Sequence, residues 1–309
     1  MRTPAELQEV LRGIVVIQFT PFKSATELDE PGIRKNTSYL IDSGLVTGRG
    51  VLVAGGSNGQ CFNMSSEERK RLLEIVIDEA RGRVPVLGCP NHTSTHLVID
   101  LAKHAERAGA DGLMVLPTYY QTPDDTSIYK HYEAITNETK LGIMVYNNQW
   151  VTSRDMPIPL LKKLADIESI VALKDCTPSF EKMWATGVEL ADKINIISCF
   201  GFTRGPCDYI AGAVGAICRL ANFAPKLSLD WDEAARARDM DRLGDLYAKM
   251  MPFEDLFAEV GEDQAQALGM RAMEMVGLSG GQFLRLPLYE PPQEQKDRLR
   301  KVMASAGLL

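Results

Sequence analysis

The sequence predicts a (β/α)8 barrel followed by a C-terminal helical extension. Short apolar runs alternate with amphipathic, helix-like segments along most of the chain. The runs are apolar throughout, which is typical of parallel strands that are buried on both faces. Eight strand-helix units suit a closed barrel, which takes about 250 residues. Strand signals end at Pro225, and the segments after it have a helical pattern.

Each predicted strand is a short apolar run that leads into a turn or a helical segment. The eight runs are 14–19, 50–53, 84–88, 112–115, 142–146, 170–174, 194–199 and 215–218.

Two of the intervening segments carry clear helix boundaries. Segment 65–80 begins with Ser65 and Glu68 in the pattern of a capping box. Segment 93–108 ends at Gly109, a residue type common at helix C-termini. Helical crossovers of this kind are what parallel strands require.

The extension is predicted to contain helices over 232–248, 253–276 and 292–306. We therefore expect a barrel domain over residues 1–226 and a helical extension over residues 227–309.

An open doubly wound sheet is the alternative fold. It predicts a Gly-x-Gly-x-x-Gly turn after the first strand. This chain has Thr20-Pro-Phe-Lys at that place, so the barrel is favoured.

The composition narrows the class of protein. The chain has 309 residues, of which 45% are hydrophobic and 24% are charged, as in ordinary globular proteins. A formal net charge of -7 argues against non-specific nucleic-acid binding. No run reaches the ~18 apolar residues of a membrane span, and the start at Met1 lacks the apolar core of a secretion signal. We expect a cytoplasmic protein without nucleic-acid or membrane partners.

The chain has six cysteines, and none of them lie in a Cys-x-x-Cys motif. This spacing argues against zinc ribbons and redox pairs, so free, buried thiols are expected.

A lysine at the end of an apolar strand is the strongest sign of chemistry. Lys174 ends the run 170–174, and Tyr146 ends the strand before it. Taking an ammonium out of water costs several kcal/mol unless the group is paired or loses its proton. A neutral amine attacks ketones to give Schiff bases, and a nearby phenol can carry the protons. The alternative is a lysine that reaches out of the strand to pair with Asp175 or to meet solvent.

A glycine-rich turn follows the second predicted strand, as Gly55-Gly-Ser-Asn-Gly-Gln60. Its backbone N–H groups, including that of Gly56, can hold an anion, and Ser57 and Asn58 add directed hydrogen bonds. A plain strand-to-helix connection with positive φ is the alternative interpretation.

Two adjacent tyrosines, Tyr119 and Tyr120, follow the fourth predicted strand. Neighbouring side chains in an extended loop point in opposite directions. One of them can therefore face the barrel mouth and the other a neighbouring subunit, unless both simply pack beneath the loop.

Taken together, these motifs resemble a known family. Thr20-Pro-Phe22, the turn at Ser57, the Tyr119-Tyr120 pair, and Tyr146 followed by Lys174 stand in one order along the chain. In this order the chain resembles the family of dihydrodipicolinate synthase and N-acetylneuraminate lyase, which are class I Schiff-base lyases on a (β/α)8 barrel. The resemblance covers nearly the whole chain.

The resemblance implies a role for each matching residue. Lys174 would form the imine with the keto carbon of pyruvate or another 2-oxo acid, and Tyr146 would shuttle protons. Ser57 would relay protons and, with Asn58, hold the substrate carboxylate. Tyr120 would cross a dimer interface into the relay of a partner subunit. The resemblance further implies a homotetramer built as a dimer of dimers, and it implies no metal or cofactor.

The chain departs from the family pattern in the region that would hold the second substrate. The synthases carry an arginine five residues after the Tyr146 equivalent, and this chain has Val151 there. Valine cannot replace a bidentate carboxylate clamp, so the prediction is against lysine biosynthesis. Trp150, Cys199 and Phe200 suit an apolar or aromatic distal group on the substrate, unless they pack against the C-terminal helices.

Other departures leave the reaction open. Gln60 replaces the usual glutamate, which removes a charge but keeps a hydrogen-bonding arm. The glycine-rich turn and segment 215–222 are closer to the 4-hydroxy-2-oxoglutarate aldolase branch, whereas Tyr146-Asn-Asn is similar to the hydro-lyase and deaminase branches. Arg204 and Arg219, each past a strand end, are candidates for binding an anionic distal group or for structural ion pairs.

Three functions are therefore compatible with these residues. The favoured one is a lyase that cleaves or forms a C–C bond beside a 2-oxo acid through an enamine. The second uses the same imine to expel water or ammonia from a hydroxylated or 3-deoxy 2-oxo acid. The third is a non-catalytic protein that binds a keto acid.

A metal-dependent aldolase is a further alternative. His92 and His96 stand four residues apart, a spacing that can seat a metal. No glutamate accompanies them in a His-Glu-x-x-His motif, so an exposed helix start is favoured over a metal site.

Overall fold

The computed structural model describes residues 1–309 and shows eight parallel strands closed into a barrel. This confirms the predicted barrel with its C-terminal helices. The barrel strands are β1 (Gly13–Ile17), β4 (Gly50–Ala54), β5 (Val86–Gly88), β6 (Gly112–Val115), β7 (Gly142–Asn147), β8 (Ile170–Asp175), β9 (Asn195–Ser198) and β10 (Ala213–Ile217). Around the barrel the strand order is β1-β10-β9-β8-β7-β6-β5-β4, so barrel strands that are consecutive in sequence are neighbours in space. A separate antiparallel ribbon consists of β2 (Phe22–Ser24) and β3 (Glu27–Leu28).

Helices alternate with the strands and then continue alone. The predicted capping box is present, because the Ser65 side chain accepts from the backbone N–H of Glu68. None of the helices is long and apolar enough to cross a bilayer. The helices are α1 (Pro4–Val10), α2 (Glu30–Asp42), α3 (Ser66–Ala80), α4 (Thr95–Ala108), α5 (Asp125–Thr136), α6 (Gln149–Thr152), α7 (Ile158–Ala165), α8 (Phe180–Leu190), α9 (Gly201–Ile210), α10 (Pro225–Ala237), α11 (Met240–Val260), α12 (Glu262–Met275) and α13 (Gln293–Ser305).

Helix α1, which the sequence patterns did not reveal, closes the bottom of the barrel. Leu7 and Leu11 are fully buried and belong to the apolar cluster inside the barrel. Gly112, at the start of β6, must lack a side chain, since a Cβ there would lie 2.4 Å from Leu7 Cδ2. Access to the barrel interior is therefore from the opposite, C-terminal mouth.

The boundaries predicted for the first two helices of the extension are wrong, whereas the third, 292–306, is confirmed by α13. The break expected between 248 and 253 lies inside α11, which runs through Pro252. Proline removes one backbone donor but does not force a break where the helix is held by packing on neighbours. The real breaks are at Arg238, which is left-handed with φ 55°, and at Gly261, with φ 80°.

The extension holds the wall of the barrel mouth in place. Arg285 is buried, and its guanidinium lies 3.8 Å from the centre of the Phe22 ring. It donates to the Asn63 carbonyl at 2.8 Å and to Glu68 Oε1 at 2.6 Å. Since Asn63 lies just beyond the glycine-rich turn, this arginine fixes the turn against the extension.

Candidate active site

Lys174 and Tyr146 lie side by side at the barrel mouth. Strands β7 and β8 pair in parallel with Tyr146 opposite Lys174. The side chains are 2% and 3% exposed, and Lys174 Nζ lies 3.6 Å from the centre of the Tyr146 ring. The amine thus meets an aromatic face instead of a carboxylate.

The alternative pairing of Lys174 with Asp175 is wrong. Successive side chains of a strand point to opposite faces, so Asp175 faces the surrounding helices. Its Oδ1 accepts from Asn147 Nδ2 at 2.8 Å and from the Thr177 N–H at 3.0 Å. Burial raises the pKa of Asp175, and its Oδ2 has no partner. Asp175 therefore organises the strand ends and leaves the Lys174 amine unpaired.

Asn148 is a site residue that the motif analysis missed. Its side-chain Nδ2 donates to Tyr146 Oη at 2.7 Å, and its Oδ1 accepts from the Trp150 N–H at 3.0 Å. One amide thus orients the phenol and starts helix α6. In the sequence, Asn148 could be noticed by its position two residues after Tyr146. That position does not show where its side chain points.

The glycine-rich turn reaches into the mouth from the opposite side of the barrel, after β4. Gly56 lies against the interior, where a Cβ would come 2.7 Å from Ile17 Cγ2. Ser57 and Asn58 are half-buried, and no protein group hydrogen bonds to their side chains. Gly55 has φ 70°, so positive φ and free polar side chains are both present.

Gln60 lies in the wall between this turn and α12. It is fully buried, and its Nε2 is 3.3 Å from Met270 Sδ. Its Oε1 accepts from Asn63 Nδ2 at 3.3 Å, so both ends of the amide contact protein groups.

The two tyrosines after β6 diverge as predicted. Tyr119 packs against the cluster inside the barrel, whereas Tyr120 is 86% exposed. Within one chain, the structure does not bring Tyr120 to Lys174. The loop begins at a firmly held strand end, because His131 Nε2 lies 3.1 Å from the Leu116 carbonyl oxygen. Burial lowers the pKa of His131 to about 4, which keeps this histidine neutral at neutral pH.

An apolar wall lines the mouth beside Lys174. Val151 is partly buried and packs against the interior cluster. Trp150 is 61% exposed, and its ring meets that of Phe200 edge to face at 5.9 Å. The Arg204 guanidinium stacks on the Phe200 ring, 3.9 Å from its centre.

The expectation that all six cysteines are free is wrong. Cys176 and Cys199 form a disulfide, and their Cα atoms are 4.9 Å apart. Each cysteine directly follows a barrel strand, β8 or β9, and these strands are neighbours. The pairing depends on strand register, which a search for short Cys-x-x-Cys spacings cannot detect. Cys61, Cys89, Cys207 and Cys218 are free.

Both candidate arginines are engaged in structural contacts. Arg204 Nε donates to the buried Asp208 at 2.8 Å, and its Nη1 donates to the Thr177 carbonyl at 2.9 Å. Arg219 donates to both carboxylate oxygens of Glu262, at 2.9 and 3.0 Å. Arg204 Nη2 is left without a hydrogen-bond partner, and Arg219 uses only its Nη2 for these bonds.

Of the two histidines considered for a metal, His96 lies in the first turn of helix α4 and His92 lies just before that helix. His92 Nδ1 accepts from the Ser94 N–H at 3.3 Å. Nowhere in residues 1–309 do three or more His, Cys, Asp or Glu side chains gather as a metal site would require.

The arrangement suits carbonyl chemistry. A buried, unpaired amine and a phenol beside it are the groups that imine formation requires, and the turn across the mouth offers polar side chains without protein partners.

Comparison with known proteins agrees with this geometry. Residues 10–306 match the model of the dihydrodipicolinate synthetase family. A 4-hydroxy-tetrahydrodipicolinate synthase of Syntrophus aciditrophicus is 31% identical over 301 residues, which are 97% of this chain and all of that protein (100%). One from Bradyrhizobium diazoefficiens is 31% identical over 300 residues, 96% of this chain and 97% of that one.

Solved structures also match nearly the whole chain. The dihydrodipicolinate synthase of Acinetobacter baumannii complexed with pyruvate has a TM-score of 0.87 at 26% identity, over 97% of this chain and 100% of that one. A prophage protein of the same family from E. coli K12, also in complex with pyruvate, has a TM-score of 0.86 at 25% identity, over 96% of this chain and 99% of that one. The chain therefore belongs to the dihydrodipicolinate synthetase family and is a lyase.

Proposed function

We propose that Lys174 forms an imine with pyruvate or another 2-oxo acid, and that the enamine made from it cleaves or forms a C–C bond with an aldehyde. The observation that carries this proposal is the buried Lys174 Nζ, 3.6 Å from the Tyr146 ring and without an ion-pair partner. The amine attacks the keto carbon and water leaves. The protonated imine then draws electrons from the adjacent carbon, which becomes the nucleophile toward the aldehyde.

Tyr146 is proposed to carry the protons of these steps, and the glycine-rich turn to hold the substrate carboxylate. The free side chains of Ser57 and Asn58, together with the backbone at Gly56, support this role because they are donors without protein partners. The two structures complexed with pyruvate belong to relatives that match over nearly their full length. We propose pyruvate for this chain on that basis.

We further propose that the aldehyde carries an apolar group, which Trp150, Phe200 and Cys199 contact. Val151 on the interior side supports this, since a valine side chain cannot bind a second carboxylate. Although the relatives are synthases of 4-hydroxy-tetrahydrodipicolinate, this wall argues against that reaction here. A place near the 4-hydroxy-2-oxoglutarate aldolase branch rests only on segments 55–60 and 215–222.

The prediction for the aldehyde is a preference for benzaldehyde over succinic semialdehyde with pyruvate as donor. We expect kcat/KM to be at least about tenfold higher for benzaldehyde. The carboxylate of succinic semialdehyde would lose its water on binding, and the apolar wall offers it no hydrogen bond in return. Val151→Arg should lower this ratio by at least about tenfold by supplying a bidentate partner. Product analysis by mass spectrometry distinguishes the aldol adduct from loss of water or ammonia.

Val151→Met is the matched control, since it adds volume without charge. A wild-type preference for succinic semialdehyde would contradict the apolar wall. An equal gain in kcat/KM for succinic semialdehyde in Val151→Met and Val151→Arg would contradict it as well.

We propose that the chain acts as a homo-oligomer, a tetramer in the family pattern, with Tyr120 reaching a partner's site. The exposed Tyr120 supports one contact, and an exposed apolar face of α8 supports another. Phe180, Trp184 and Val188 are spaced four apart on this helix, and the first two rings meet at 6.0 Å. Such a row of large apolar side chains on a surface is typical of an interface. A monomeric dihydrodipicolinate synthase variant is known among the similar structures, so the assembly must be measured.

Trp184→Glu is expected to halve the mass of the assembly in sedimentation equilibrium, because a carboxylate would be buried in the contact. Lys163→Glu, on the neighbouring helix α7, adds acidic charge as a control and should leave the mass unchanged. An unchanged mass for Trp184→Glu would contradict the contact.

We propose, finally, that catalysis belongs to the barrel domain, residues 1–226, and that residues 227–309 support its mouth. The contacts of Arg285 with the end of the glycine-rich turn support this division.

A further inference from the structure

Two cysteines form a second reactive group directly beside Lys174. Cys176 lies two residues after Lys174, so both side chains face the barrel interior. Cys176 is 1% exposed and belongs to the interior cluster with Tyr146, and Cys199 packs against the same cluster. At about 3.3 Å per residue, the backbone of Cys176 lies roughly 6.6 Å further toward the mouth than that of Lys174. A molecule bound at Lys174 that extends outward must pass the disulfide.

The disulfide is not needed to hold the two strand ends together. In the β8–β9 ladder, Lys174 pairs with Ile197 and Asp175 with Ser198. Beyond the ladder, the Cys199 N–H donates to the Asp175 carbonyl at 3.2 Å. Arg204 adds a bond from the next helix to the Thr177 carbonyl. The bond can therefore open and close while the barrel stays folded.

The two sulfurs differ in access, which gives exchange a direction. Cys199 is partly exposed at the mouth, whereas Cys176 is enclosed. An incoming thiolate therefore attacks Cys199 Sγ, and Cys176 is the leaving group. The other buried thiols compete poorly, since burial raises the pKa of Cys89 to about 12 and that of Cys218 to about 11.

We propose that Cys176 and Cys199 are a thiol-exchange site, which small dithiols open and small disulfides close, and that its state sets the width of the mouth beside Lys174. Bonded sulfurs are about 2.05 Å apart, whereas two thiols need a non-bonded separation on the order of 3.5–4 Å. Cys176 is enclosed, so Cys199 must move toward the mouth and carry the adjoining Phe200 with it. Opening the disulfide therefore narrows the passage between Phe200, Trp150 and Val151.

The exchange balances as follows. A dithiol reagent, as its thiolate, breaks the S–S bond at Cys199 and forms a mixed disulfide, and the Cys176 thiolate takes up a proton. The second thiol of the reagent then attacks the reagent sulfur of that mixed disulfide and releases Cys199. The protein gains two electrons and two protons, and the reagent becomes a cyclic disulfide. Oxidised glutathione runs the reverse reaction and leaves as two thiols.

The experiment uses the full chain with Cys207→Ser, which removes the exposed thiol. The protein is equilibrated with dithiothreitol or with oxidised glutathione, quenched in acid, alkylated and mapped by peptide mass. We expect Cys176 and Cys199 cross-linked after glutathione disulfide and both alkylated after dithiothreitol. Failure to recover the cross-link would overturn the exchange site.

The width of the mouth is read in two ways. Resting on the proposed aldol function, kcat/KM with pyruvate and benzaldehyde should fall at least about fivefold on reduction and recover on oxidation. Borohydride trapping of pyruvate at Lys174 should be equal in both states. Independently of turnover, reduction should change the tryptophan emission of the parent but not of Trp150→Phe.

Cys176→Ser/Cys199→Ser should match the reduced enzyme in both readouts and ignore both reagents. Equal kcat/KM in the two states, or a double variant that matches the oxidised enzyme, would overturn the link to the mouth. If borohydride traps nothing in either state, the proposed imine function fails instead. In that case the Trp150 emission alone tests whether the disulfide changes the width of the mouth. An emission that is unchanged on reduction would overturn that claim.

Discussion

Replacing Lys174 with methionine or alanine is expected to lower kcat by at least about 10³-fold, because no other amine in the mouth can form the imine. Both variants should fold. Lys174 is 2% exposed, and removing a buried amine removes a desolvation cost. Methionine keeps most of the side-chain volume against the Tyr146 ring, whereas alanine leaves a cavity. Turnover with pyruvate and benzaldehyde, together with urea unfolding, separates lost chemistry from lost stability.

The methionine variant is the stricter of the two, because its packing is preserved. Lys182→Met serves as the comparison, since Lys182 pairs with Asp155 outside the barrel interior and is not placed in the reaction. Activity of Lys174→Met within tenfold of the parent enzyme would contradict the role of the amine.

Removing the hydroxyl of Tyr146 with phenylalanine is expected to lower kcat by about 10²–10⁴-fold, the range for losing a positioned proton donor and acceptor. The ring itself remains, so the packing of Lys174 at 3.6 Å from its centre is preserved. Imine trapping should still occur, more slowly, because the amine is intact. Single-turnover kinetics with borohydride quenching measures both rates.

Asn148→Ala tests the same relay more gently. It keeps the phenol but removes the donor at 2.7 Å from Tyr146 Oη, and a loss of about tenfold is expected. If Tyr146→Phe reacts as fast as the parent while Asn148→Ala is slow, the proton path runs elsewhere.

The sequence predicted the elements of the barrel because buried parallel strands are apolar throughout. It also predicted that Lys174 and Tyr146 share the mouth, since strand C-termini converge there in any such barrel. The register then placed the two residues opposite each other, which pattern alone could not do. The barrel topology predicted that the two residues are near each other, whereas the pairing of the strands shows that they are adjacent.

Three of the features that sequence patterns missed depend on tertiary contacts. The pairing of Cys176 with Cys199 needs two strand ends 23 residues apart to be aligned. The run of α11 through Pro252 needs packing that outweighs one lost hydrogen bond. The structural role of Arg204 is visible only in the folded chain, where Asp208 lies one helical turn away on a buried face and pairs with it.

The most direct test of the account is borohydride reduction of the full chain in the presence of pyruvate, followed by peptide mass mapping. We predict one covalent adduct, on the peptide that contains Lys174, and no adduct in Lys174→Met. An adduct on another lysine, or active enzyme that forms no adduct with pyruvate or with longer 2-oxo acids, would contradict imine chemistry at Lys174.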